Sequence, residues 1–488
     1  MPEDPIVEST VSARHRPTER PVIVIGGGPA GLTSAYELTR RGQRPVVLEK
    51  NHMVGGLART EQFRGNYFDL GGHRFFTPVR EIQALWTQVL GEDFLLRPRQ
   101  SRIYYDRKFF DYPLRPLNAL WALGPIESIR VVLSYLRWHL FPYRQEETFE
   151  QWVTNRFGKR LFNVFFKSYT EKVWGISCDR LRAEWAAQRI KDLSMKSIVK
   201  HMLLKSTQQI RTLIEEFHYP RRGPGMMWQA FASVVQHQGG EVRLQSDVTR
   251  VCRQADNSWS VTVRCGGRTE QIHGKAIISS MPVTELIAKL EPSPPEDVLD
   301  AASRLTYRDF LTVCLVVDKP TLFTDNWIYV HDPEVSVARI QNFKNWSPDK
   351  VADRTTTTLG LEYFCTEGDE LWNTPDADLI ELGRRELQRI GLAAAEDVID
   401  GCVFRVPKAY PIYDAGYRDH LERVRSFLRG QANLQTVGRN GLHRYNNQDH
   451  AMLTGLLAVR NLLCGETHDL WQVNAEQGYQ EHARVERV

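Results

Sequence analysis

Cysteine is sparse: seven in 488 residues, at positions 178, 252, 265, 314, 365, 402 and 464, with no C-x-x-C pair. That pattern excludes a zinc site of the paired-cysteine kind, and no metal is expected. The odd, scattered count predicts reduced thiols in a cytoplasmic setting. No stretch approaches the roughly 18 uninterrupted apolar residues of a membrane span, so no integral membrane segment is expected. The nearest candidate, 131–143, is broken by Arg137 and His139. It reads as a packed amphipathic helix, although its Trp, Arg and Tyr content also suits a membrane surface. Residues 1–19 lack the apolar core of a secretory leader and predict a disordered start. Basic and acidic residues are interspersed and sum to 63 − 59 = +4. Without a basic block there is no footprint for nucleic acid. Repeats and low-complexity tracts are absent too.

What is present is ordinary globular composition, 42% hydrophobic and 25% charged, long enough at roughly 100–200 residues per domain for two to four domains. Val22-Ile23-Val24-Ile25 is an apolar run that stops at glycine, as a strand buried on both faces would. Residues 29–41 then read as a helix and 45–49 as a second buried strand, together a βαβ unit. Helical spacing governs 117–217, with Thr148-Phe149-Glu150-Gln151 as a capping box. Strands are predicted at 101–112, with a turn at Asp106-Arg107-Lys108, at 241–251, 259–264, 276–279, across 307–406 and at 434–437. A long helix follows near 452–463. The order is interleaved. It predicts an α/β protein with a discontinuous nucleotide-binding domain (20–98, 222–300 and 429–470) and a mixed or antiparallel sheet domain (99–115 and 301–428). An inserted helical domain (116–221) and a C-terminal tail (471–488) complete the division.

Gly26-Gly27-Gly28-Pro29-Ala30-Gly31 is G-x-G-x-x-G placed between strand and helix. Gly26 permits the tight turn, Gly28 lets a pyrophosphate approach the backbone, and Gly31 permits close helix–strand packing. The helix N-terminus offers free N–H groups to the phosphates. Glu49, about 20 residues further on, can bind ribose hydroxyls and disfavours a 2′-phosphate. Gly55-Gly56-Leu57-Ala58-Arg59 and Asp69-Leu70-Gly71-Gly72-His73 add two more glycine-rich turns. Such side-chain-free backbone suits a long cofactor laid across several loops, and Arg59 can offset phosphate charge. FAD, bound noncovalently, is therefore expected.

With these residues assembled, the chain resembles the two-dinucleotide-domain flavoproteins, the group of amine oxidases, protoporphyrinogen oxidases and carotenoid desaturases. Within it the chain looks most like the UDP-galactopyranose mutases of eukaryotic type. The segments that carry the likeness are GGLART, FDLGGHRFF, DYPLRPL, TFEQWV, FFKSYTEKVWG, AEWAAQRI, YPRRGPGMMW, AYPIY and GRNGLHRYNNQDHAML. The resemblance implies a Rossmann-like FAD domain and a reaction that is redox-neutral overall. N5 of FAD, reduced by NADPH or NADH, would attack the anomeric carbon of a nucleotide-bound pyranose, leading to the furanose isomer for polysaccharide biosynthesis.

The resemblance also implies roles. Arg339 would hold the diphosphate, with Tyr329, Tyr410 and Tyr445 donating to it, and Lys167 stands where those enzymes place a second phosphate arginine. Phe76, Tyr112 and Trp152 would surround the nucleotide, and Arg115 stands where a glutamine meets the base. His73 would abut the flavin, Arg102 would bind NADPH phosphate, and Gly72, Val248, Arg439, Asn447 and Gln448 would contact FAD. A guanidinium fork and phenols are the groups a diphosphate leaving group needs. Taken singly, these residues read otherwise: Trp152 as the core of an amphipathic helix, the Tyr-Pro pairs as turns, His73 as a loop residue. Three readings follow: a nucleotide-sugar mutase; an FAD-dependent oxidase or desaturase; and a flavin-bearing interaction protein without turnover. Whether the chain self-associates stays open.

Overall fold

The computed structural model describes residues 20–112, 123–183 and 216–474. Arg115 therefore lies outside the described residues, as do the start predicted to be disordered (1–19), the 184–215 part of the stretch read as helical and most of the C-terminal tail.

Five short strands form a parallel sheet in the order Leu434–Thr436, Ala276–Ser279, Val22–Ile25, Val46–Leu48, Glu241–Arg243. They come from three separated parts of the chain, as the interleaved pattern predicts. Val22–Ile25 is buried along its whole length because it sits at the centre, with layers packed on both faces. On one face lie the helices Pro29–Arg40, Pro224–His237 and Gln448–Cys464. On the other lies a sheet in the order Arg268–Gly274, Trp259–Cys265, Asp247–Arg253, Leu290–Glu291. The predicted strand at 241–251 is thus two strands, divided between two sheets.

A seven-stranded mixed sheet forms the second body, ordered Val398–Pro411, Tyr307–Val317, Thr357–Cys365, Arg339–Asn342, Trp327–Val330, Ser101–Tyr105, Lys108–Asp111. Asp106 and Arg107 both adopt positive φ, the geometry of a two-residue hairpin turn, in line with the turn read there.

The helical insertion holds Pro125–Leu140, Phe149–Phe157, Lys159–Phe162 and Ser168–Trp174, joined by a π-helical turn at Asn163–Lys167. Both halves of the Thr148–Gln151 capping box are formed. The helical reading fails at its end. Glu216–Pro220 is a strand paired antiparallel with Phe94–Pro98, a partner more than 100 residues earlier that local periodicity cannot reveal.

Candidate active site

The glycine turn forms as its spacing requires. Gly26 has φ +98°, and a Cβ on Gly31 would lie 1.9 Å from the Gly26 carbonyl oxygen. Only a bare Cα lets the helix start so close to the strand. The second glycine turn closes on the first: the Gly55 N–H donates to the Gly27 carbonyl at 2.9 Å, and a Cβ on Gly56 would stand 3.2 Å from Gly28 Cα. Glu49 is buried at the end of its strand. It accepts from the Gly27 N–H at 2.7 Å and from both the backbone and side-chain nitrogens of Asn51.

The third glycine turn hangs over the seven-stranded sheet. Gly72 faces Gln341 and Trp346, and Gly71 faces Phe310. Beneath it, Tyr329, Arg339 and Glu362 stand side by side on three adjacent strands, and directly opposed residues share a face. Arg339 forms an ion pair with the fully buried Glu362, while Gln341 donates to the other Glu362 oxygen at 2.6 Å. Arg339 Nε and Gln341 Oε1 are buried without a hydrogen-bond partner. Tyr169 meets the Tyr329 ring edge-on at 5.6 Å, and Tyr112 approaches it at 4.9 Å.

On the other side Tyr410 and Tyr445 stack at 5.8 Å, with the Arg439 guanidinium over both rings. Arg439 donates to the carbonyls of Asn446 and Ala409, and so fixes the loop before the last long helix. Asn447 caps that helix, and Gln448 Oε1 accepts from the Trp228 indole at 3.1 Å. The Asn446 amide is buried with neither nitrogen nor oxygen partnered, and Gln448 Nε2 is likewise unpartnered. Such buried polar groups ask for a ligand.

The electrostatics follow from this crowding. His73 Nδ1 lies 3.1 Å from the Gly71 carbonyl oxygen. Burial and the nearby charges of Arg439 and Arg339 push its pKa down to about 3, so the imidazole is neutral. Burial raises the Tyr410 and Tyr169 phenols, despite the opposing charge of Arg339, so both keep their protons. Burial works against the charged form of Arg339, but Glu362 outweighs it and the guanidinium stays charged.

Arg339, Tyr329, Tyr410, Tyr445, His73, Arg439 and Gly72 are thus brought to one region, with Phe76 packed nearby against Trp327 and Trp346. Others fall elsewhere. Lys167 is exposed at the end of the π turn, its charge acting on Cys178 and Asp179. Trp152 is a core residue of its helix, with one ring face covered by Arg156 at 3.9 Å. The Arg102 fork is closed on Asp325, down to 2.6 Å, which neutralises the charge expected to meet NADPH. Arg59 is held by Glu61 at 2.6 Å and by the Gly56 carbonyl. Val248 packs its side chain into the core and offers only backbone. Tyr112 lies at the rim, more than a third exposed.

Several site residues escape sequence reading. Glu362 is a lone carboxylate in an otherwise uncharged strand, and a buried charge needs a partner. Gln341 lies two residues beyond Arg339, hence on the same face. Tyr169 and Asn446 lie within the segments FFKSYTEKVWG and GRNGLHRYNNQDHAML that carry the family likeness, but the likeness implies no role for either.

A strand–glycine turn–helix unit with a buried carboxylate at the end of the next strand, facing a mixed sheet, is the arrangement of a dinucleotide-binding protein. The chain belongs to the flavin containing amine oxidoreductase family, whose profile matches residues 29–463. FAD is the cofactor of that family. The paired glycine turns, Glu49 and the unpartnered amides of Asn446 and Gln448 fit it.

Curated relatives include 15-cis-phytoene desaturases. That of Narcissus pseudonarcissus is 31% identical over 128 residues, 23% of this chain and 22% of the relative. That of Capsicum annuum is 23% identical over 418 residues, 80% of this chain and 68% of the relative. The chain thus matches about a fifth of the length of the first of these relatives and about two thirds of the second. Among solved structures, reduced UDP-galactopyranose mutase superposes with a TM-score of 0.82 at 22% identity, covering 94% of this chain and 98% of that one. That likeness establishes the fold.

Proposed function

We propose that the protein is an FAD-dependent nucleotide-sugar mutase that interconverts pyranose and furanose forms, with NADPH or NADH as reductant. The observation that carries this reading is the make-up of the wall beneath the Gly71-Gly72-His73 turn. It is built of guanidinium and phenol groups, Arg339 and Arg439 with Tyr329, Tyr410 and Tyr445, where an apolar substrate would call for an apolar tunnel. The chemistry that FAD supplies when bound and reduced is a nucleophilic nitrogen for the anomeric carbon.

The chain's own residues bind and orient. The free Nε of Arg339 donates to the diphosphate, both before and after it separates from the sugar. Tyr410 and Tyr445, held parallel under Arg439, offer O–H donors to the same group. His73, neutral, carries one ring N–H without adding charge. Glu362 and Gln341 fix the guanidinium plane, and holding a leaving group close preserves the barrier-lowering of proximity.

A second reading, an FAD-dependent desaturase or oxidase, is favoured by the phytoene desaturases among the curated relatives. One experiment separates the two. Dithionite-reduced, FAD-loaded protein is incubated with UDP-galactose and other nucleotide sugars under anaerobic conditions. Isomeric product without net consumption of reductant supports the mutase. Absence of any isomer, with electron-acceptor use tied to an apolar substrate, overturns it.

A further inference from the structure

The helix Pro125–Leu140 is turned inside out. Only Val131 of its 16 residues is buried. Ile126, Ile129, Leu133, Leu136, Leu140 and the following Phe141 are between 47% and 74% exposed. At 100° per residue these helical positions fall within an arc of roughly 80° on one face, an apolar stripe that ordinarily faces a core. Here the face toward the protein is a mixed one, with Glu127 and Ser134 beside Val131, Tyr135 and Trp138. Ser134 Oγ accepts from the Arg160 N–H at 3.0 Å, Glu127 pairs with Arg160, and a Cβ on Gly158 would meet the Tyr135 backbone nitrogen at 2.8 Å. A contiguous patch of large exposed side chains marks an interaction surface.

We propose that this face docks the protein onto an anionic lipid bilayer, lying in the plane of the interface. Charge decides the occupant. The spacing 126, 129, 133, 136, 140 would also suit pairing with a second copy, where the positions flanking the stripe set the charge match. Those positions hold Arg130, Arg137, Val132 and His139, with no carboxylate among them. In a two-fold antiparallel pair Arg130 and Arg137 would face their own symmetry mates. An anionic headgroup layer supplies the missing counter-charge. Arg130 is 63% exposed in its contact with Glu127, and Arg137 and Arg144 meet no carboxylate among the described residues. No helix among the described residues is long and apolar enough to cross a membrane, so this contact is confined to the surface.

Co-sedimentation of the FAD-loaded chain with vesicles tests this independently of the reaction catalysed. The protein should pellet with mixed phosphatidylcholine–phosphatidylglycerol vesicles, and more weakly with phosphatidylcholine alone. Arg130→Ala and Arg137→Ala should each lower partitioning about 5-fold on the anionic vesicles. Leu133→Glu with Leu136→Glu should lower it more than about 10-fold, with flavin content unchanged because both side chains are largely exposed, at 60% and 47%. Wild-type protein remaining in solution with both vesicle types would overturn the proposal. So would a wild-type dimer in sedimentation equilibrium that the double glutamate variant dissociates, which would assign the face to a second copy.

Discussion

At the scale of single residues, Arg339 shares its charge with a carboxylate, and this changes what its removal does. A free guanidinium would affect only ligand, but Glu362 is fully buried and depends on Arg339 and Gln341 for its compensation. Arg339→Ala should therefore act twice. It should raise the dissociation constant for UDP by about 10- to 150-fold, the worth of one charge-assisted contact. It should also lower stability by about 3–5 kcal/mol, because a buried charge is left unpaired. Adding Glu362→Gln should return most of the stability and none of the affinity. Urea denaturation and a UDP titration of the FAD-loaded variants read the two effects separately. Recovery of UDP affinity in the double variant would mean that Arg339 serves the fold alone. Arg339→Lys should keep part of the affinity, as an ammonium keeps the charge and loses the planar fork. The sequence made Arg339 and its tyrosines legible through motif likeness. Glu362 stayed hidden because it meets Arg339 only across a strand pairing.

At the scale of elements, the glycine turns separate two roles that spacing alone runs together. A Cβ on Gly31 would sit 1.9 Å from a carbonyl oxygen, whereas one on Gly28 would find its nearest atom, Gly56 Cα, at 3.7 Å. Gly28 also has φ −82°, which alanine adopts freely. Gly31→Ala should thus break the strand–helix junction and yield little folded protein. Gly28→Ala should fold with near-normal stability and lose flavin, because its methyl occupies space a pyrophosphate needs. The ratio of flavin to protein absorbance, set beside the melting temperature, decides it: full flavin in Gly28→Ala would deny that the pyrophosphate lies there. A second junction was invisible in the sequence. Lys350, fully buried, forms an ion pair with Asp69 at 2.6 Å and donates to the Tyr219 hydroxyl at 2.8 Å. Burial lowers its pKa to about 8, against the pull of Asp69. The three residues tie the strand ahead of the His73 turn, the strand Glu216–Pro220 and the connection between the strands Arg339–Asn342 and Thr357–Cys365 of the seven-stranded sheet. Lys350→Met alone should cost about 3–5 kcal/mol, and adding Asp69→Asn should recover a large part, since a neutralised pair no longer carries a buried net charge. Equal stability of the single and double variants in urea would refute the coupling.

At the scale of the whole molecule, the parallel sheet was legible through its central strands, since Val22–Ile25, Val46–Leu48 and Ala276–Ser279 are buried, almost wholly apolar runs. Its interleaving with the second sheet followed from the order of those runs. The pairing of Phe94–Pro98 with Glu216–Pro220 was not legible, since both are short strands distant in sequence. Nor was the burial of histidines, which depends on how the bodies close around them. His331 and His443 are almost fully enclosed, and burial pushes their pKa values to about 3 and about 4. At pH 7 both are neutral, folded or unfolded, and contribute nothing to the pH dependence. Below about pH 6.5 the unfolded chain takes up protons that the folded chain refuses, so stability falls with falling pH. Each such histidine adds a slope of roughly 1.4 kcal/mol per pH unit down to its folded pKa. Carboxylates add their own loss only near pH 4.5 and below, which leaves the interval from pH 6.5 to 5 to histidine. Unfolding free energies measured by urea across that interval should therefore decline steeply. His443→Gln, whatever its cost at pH 7, should reduce the slope by one proton, because glutamine does not titrate. An unchanged slope would mean that His443 is protonated in the folded protein, and the enclosure around it would have to include a counter-charge.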